Sequence, residues 1–134
     1  MKTEQEIEND FYAMLKQSDL YTAIGAMYKR DFRPIEDKGE CITFALLSGL
    51  DAQFEQGVMN CNIYVPSIPA ADGRMQPNTN RINQLQRLVY KFVETCKTAE
   101  YWLSLNAKPT TMYNSEIDQY LINARIEYQR LSQE

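Results

Sequence analysis

Between residues 57 and 66 the chain reads GVMNCNIYVP, and that run leaves little choice of backbone. Met59, Cys61, Ile63 and Val65 alternate with Val58, Asn60, Asn62 and Tyr64, which a strand sorts onto two faces and a helix would scatter. The apolar set predicts a buried face, so the run reads as a central strand. The preceding residues 41–48, CITFALLS, are apolar at both parities, and Ile42, Thr43 and Phe44 favour a strand covered on both sides. The two runs can pair as a long hairpin. Residues 119–131 alternate as clearly, with Tyr120, Ile122, Ala124, Ile126 and Tyr128 on one face and Asn123, Arg125, Glu127 and Gln129 on the other. Residues 101–106, YWLSLN, predict a further strand, and only a short one fits at 27–30 ahead of Pro34.

Helical spacing appears in three places. Thr3 and Glu6 have capping-box spacing, and Ile7, Phe11, Met14 and Leu15 then share one face, predicting a helix over 4–16. Ser18 can cap a short helical turn that Gly25 stops. Asn78 or Thr79 can cap the main helix, residues 81–96. There Ile82, Leu85, Leu88, Val89, Phe92 and Cys96 lie opposite Arg81, Gln84, Arg87, Lys91 and Glu94. The order helix, short helix, short strand, two strands, helix, two strands predicts an α+β fold. A mostly antiparallel sheet packs against one main helix, with the N-terminal helix beside it or at the edge. The connections are a polar segment at 34–39, a nine-residue link at 49–57, a fifteen-residue link at 66–80 with three prolines, and a loop at 107–116. The link at 49–57 is either an ordered loop or the end of a projecting ribbon. Its Phe54 accordingly folds back on the core or projects toward a partner. The link at 66–80 is either a contact surface or a solvated excursion.

Composition excludes more chemistry than it suggests. At 134 residues, 44% hydrophobic and 24% charged, the chain has the size of one globular domain that needs no disulfide or metal staple. No apolar run approaches the roughly 20 residues that cross a bilayer, so no membrane role is expected. The opening MKTEQEIEND is polar and acidic, unlike a signal peptide, which predicts a chain that stays in the cytoplasm where it is made. The three cysteines lack C-x-x-C spacing and read as ordinary buried thiols. The absence of histidine removes the commonest base and metal ligand, and the glycines form no phosphate cradle. Glu36, Asp37 and Glu40 read as a solvated acidic turn. Tyr101, Trp102, Tyr113, Tyr120 and Tyr128 lack the interleaved basic residues of a stacking platform for single strands, and the net charge is −4. No catalytic, cofactor-binding or metal-binding residue is predicted, and the expected role is not enzymatic.

The order of elements carries a family likeness. A short helix runs toward a strand with a tyrosine and a proline (residues 20–28, then Pro34), an apolar strand CITFALLSG follows, and next comes a strand ending in tyrosine, MNCNIYV. A helix of regularly spaced apolar residues and a last alternating strand, ARIEYQ, complete it. Over roughly residues 5–130 the chain resembles the tail-completion, or tail-terminator-like, proteins of tailed bacteriophages. That resemblance implies a virion protein assembled in the host cytoplasm. It would form a ring, commonly a hexamer, at the head-proximal end of the tail tube, stopping polymerisation and meeting the head connector. DNA would pass through without sequence-specific binding. The long proline-bearing link keeps open a neck adaptor in another virion position, and a small monomeric or dimeric binding module remains the reading outside that class. A ring needs two different patches on each subunit. The candidates are Leu50, Asp51, Gln53, Phe54, Glu55 and Gln56 in the first link and Ile68, Arg74 and Met75 in the second.

Overall fold

The computed structural model describes residues 2–50 and 54–131, the side chains at 48–50 and 54 excepted. The described residues include three α-helices, α1 Glu4–Lys16, α2 Asp19–Ile24 and α3 Thr79–Thr95. The strands are β1 Met27–Lys29, β2 Cys41–Leu50, β3 Phe54–Pro66, β4 Ile68–Pro69, β5 Met75–Gln76, β6 Tyr101–Leu105, β7 Thr110–Asn114 and β8 Gln119–Leu131. The main sheet runs β1-β2-β3-β8-β6, with β7 also on β8, so β3 is central as its alternation predicts. All its pairings are antiparallel except β1 with β2. The α+β architecture stands.

Local chemistry explains the helix ends. The Thr3 hydroxyl accepts from the Glu6 amide at 3.2 Å while Glu6 Oε1 accepts from the Thr3 amide at 3.0 Å, the reciprocal bonds of a capping box. Asn78 caps α3 by accepting from the Arg81 amide. Gly25 ends α2 at φ 82°, where its amide reaches the Tyr21 carbonyl. Nothing lies within 4 Å of the position a Cβ would take there. Gly25→Ala is therefore expected to cost about 1 to 2 kcal/mol, through left-handed strain alone. Urea denaturation checks it, and a neutral result would mean that the turn relaxes.

All three helices lie on one sheet face. There Met59, Cys61, Ile63 and Val65 of β3 and Ile122, Ala124, Ile126 and Tyr128 of β8 join Phe11, Leu15, Leu85, Val89 and Phe92 in one core. The opposite face is polar at its centre. Asn62 and Asn123 face each other across β3 and β8, and the Asn123 amide donates to both Asn60 and Asn62 at 2.8 Å. Part of this face is closed by the segment after β1. The Arg33 guanidinium sits 4.0 Å from the Tyr64 ring centre and bonds to Gln119, whose own amide donates to the Lys38 carbonyl.

Of the two readings left open for the link at 49–57, the structure takes the strand one: β2 and β3 run on, and β8 accompanies β3 as far as Leu131 opposite Phe54. It corrects three other expectations. The link at 66–80 contains the β4–β5 hairpin, closed by the Gly73 amide on the Ala70 carbonyl and the Ala70 amide on the Arg74 carbonyl. The loop at 107–116 contains β7, which is collinear with β6 and continues the same edge of β8. Glu40 is no solvated acid: its carboxylate takes two 2.8 Å bonds from Arg81, tying the start of β2 to α3.

Candidate surface sites and the buried ion cluster

The largest concentration of charge lies where the ends of β3, β8 and β6 meet the start of α1. Glu55 and Arg130 are opposite each other in the β3–β8 register and joined at 2.8 Å. They are 3% and 7% exposed, so both have been taken out of water. Arg130 Nε also donates to Glu100 at 2.6 Å. Lys2 closes the cluster. Its ammonium reaches Asp10 at 2.6 Å and Glu100 at 2.9 Å, and its amide donates to Glu55 at 2.9 Å. The Tyr101 hydroxyl donates to Asp10 at 2.5 Å, and its ring meets Phe11 and Tyr128 edge-on. Burial and the Asp10 bond push that phenol far above its usual range.

Glu55 thus differs from its place among the predicted contact residues. It is inside the protein and spent on Arg130 and Lys2. Parity carried the signal: Glu55 continues the buried face of Met59 and Cys61, and Arg130 continues that of Ile126 and Tyr128. Polar type at those two positions concealed it. A second inward carboxylate, Glu8, accepts from the Leu46 amide at 2.9 Å, beside the register shift between Leu46 and Ser48. It supplies the partner that an interrupted ladder leaves wanting.

The cluster gives a pH dependence. Hydrogen bonds from Lys2 and Arg130 hold the Glu100 carboxyl below its usual 4.5. A lowered folded-state value contributes stability that is complete above the ordinary carboxylate range and is lost as pH falls through the folded value. The urea midpoint is expected to fall with pH below about 4.5, and Lys2→Met should flatten that fall. An identical slope in the variant would contradict the assignment.

The other predicted contact residues separate into two groups. Asp51 and Gln53, and the side chains of Leu50 and Phe54, lie outside the described residues, while Gln56 is exposed on β3. Ile68, Arg74 and Met75 come together on the β4–β5 hairpin and are all exposed, with Arg74 paired to Asp72 at 2.7 Å. Among the described elements that hairpin makes its main contacts within itself. A feature the sequence reading passed over is the groove of about 720 Å³ between the C-terminal end of α3 and β6, walled by Val93, Glu94, Cys96, Lys97, Trp102 and Leu103. Trp102 is 76% exposed. Its place on a short strand between buried Tyr101 and half-buried Leu103 was readable as alternation.

Thiol chemistry is suppressed. Burial pushes the Cys61 thiol up to about 12 and Cys41 up to about 11, so both stay protonated at neutral pH. Among the described residues no group of three or more carboxylate or thiol side chains could hold a metal ion, and no helix is long and apolar enough to cross a membrane. No protein-family model matches the chain, and no curated protein matches it in sequence.

Proposed function

We propose that this protein is a structural virion component of a tailed bacteriophage. It assembles as a ring, a hexamer by the family likeness, at the head-proximal end of the tail, ends tail-tube growth and joins the tail to the head connector. DNA passes through the ring without sequence-specific binding, assembly takes place in the host cytoplasm, and the role is architectural and not catalytic. The observation that carries the reading is a pair of dissimilar exposed features on one subunit. One is an exposed hairpin carrying Ile68 on one face and Met75 on the other; the second is an apolar groove lined in part by Trp102. Two different patches make head-to-tail contacts, and head-to-tail contacts close into rings where the rotation permits. The resemblance in element order supplies the virion context.

The test is electron microscopy of tail tubes incubated with the purified protein. Rings seated on one end of each tube, with tube growth arrested there, are the expected result. Rings that bind isolated connectors and ignore tubes would replace the terminator assignment with a neck adaptor. A protein that binds neither would overturn the virion reading.

A further inference from the structure

We infer that residues 30–39 form a strap that lifts from the polar face of the sheet while the rest of the fold stays intact, and that lifting makes Cys41 the thiol soft electrophiles reach. The motion needs no second copy, so it stands apart from the ring reading. Both ends of the strap are anchored. Before it, Lys29 of β1 bonds to Gln5 and Asn9 of α1 at 3.0 and 2.7 Å; after it, Glu40 is held by Arg81. The strap contributes no residue to the β1–β2 or β2–β3 ladders, so lifting it breaks none of that pairing.

What lies beneath is on the face the helices leave uncovered. Cys41 is opposite Tyr64 and Thr43 opposite Asn62 in the β2–β3 register, so the four side chains share that face. Cys41 and Thr43 are nevertheless 0% and 2% exposed. Arg33 on the Tyr64 ring and Asp37 on the Tyr28 hydroxyl bring the strap over them. The hold is weak for what it covers. The strap's large apolar side chains, Phe32 at 72% and Ile35 at 98% exposed, stay in solvent, so closure gains little from burying them. Its ties to the sheet are polar and converge on Gln119, which accepts from Arg33 at 3.2 Å and donates to the Lys38 carbonyl. Closure also has a cost. Among the described residues Arg33 Nε and Thr43 Oγ1 are buried without a hydrogen-bond partner, and both regain water when the strap lifts. A segment with so little apolar burial opens at a free energy well below that of global unfolding. Cys61 supplies the contrast. It lies on the other face of the same sheet, in the core beneath the helices.

The experiment is iodoacetamide labelling of the full chain in urea concentrations below the unfolding transition, with each cysteine resolved by peptide mass. The thiolate sulfur displaces iodide, forming the sulfur–carbon bond, and its proton passes to the buffer. In the absence of urea Cys41 should label at least about tenfold faster than Cys61. Cys41 labelling should also rise only slightly with urea, because little surface is exposed, whereas Cys61 should follow the steep slope of global unfolding. Gln119→Ala removes both ties and should speed Cys41 labelling about tenfold. Val89→Ala, in the core under α3, should speed Cys61 labelling about tenfold or more and leave Cys41 unchanged. Circular dichroism and thermal melting verify that both variants fold. Equal, steep urea slopes at Cys41 and Cys61 would overturn the inference, since the strap would then open only with the whole domain. Cys41 labelling unaltered by Gln119→Ala would also overturn it, because the thiol would then be reached by another route.

Discussion

Arg130→Ala is expected to cost about 3 to 5 kcal/mol of folding stability, the usual penalty for removing one member of a buried ion pair. The size follows from what remains. Glu55, 3% exposed, loses the guanidinium that offset its desolvation, and Glu100 loses its 2.6 Å partner. The pair also joins residues 55 and 130 directly across β3 and β8, so the variant loosens the ends of the two longest strands together. Urea denaturation measures the loss. Glu55→Leu combined with Arg130→Met should cost far less than the separate substitutions summed, because neither charge is then left behind. A loss below about 1 kcal/mol for Arg130→Ala, the range of surface substitutions, would mean that water enters the cluster freely.

Phe11→Ala should be as damaging, at about 3 to 5 kcal/mol, through a different mechanism. Phe11 is fully buried and packs edge-on against both Tyr101 and Tyr128, with ring centres 5.9 and 5.7 Å away. One side chain therefore holds α1 against β6 and β8, and its removal leaves a cavity among rigid rings that cannot collapse into it. Tyr101 is further fixed by its bond to Asp10 on α1, which resists such collapse. Denaturation should show a lower midpoint with an unchanged slope. A change in slope would point instead to detachment of α1 in the folded state.

The sequence was most legible where burial is one-sided. Gln119–Leu131 emerges with its bounds unaltered, and from Ile122 onward it alternates cleanly because every second residue meets the helices, while Gln119 and Leu121 are buried on the other face. Thr3 with Glu6, Ser18 and Gly25 likewise announce helix ends through chemistry confined to a few neighbours. What escaped has its cause elsewhere in the chain. In β7 every residue but the last is exposed, so TTMYN carries no alternation and owes its strand state to the free edge of β8. The β4–β5 hairpin hides behind Pro66, Pro69 and Pro77, residues that usually argue against strands. Glu55 and Arg130 fell on buried parities, but a charged residue at such a position reads as solvent-facing until its partner is known. The α3–β6 groove could not be read at all, since a cleft is a property of what fails to cover a surface.

The most direct test of the ring account is the absolute mass of the purified protein in solution at rising concentration. The account predicts passage from the 15.6 kDa subunit to one discrete closed species, six copies at about 94 kDa, with no larger series beyond it. A single 15.6 kDa species throughout the range would contradict it, as would an isologous dimer that grows no further.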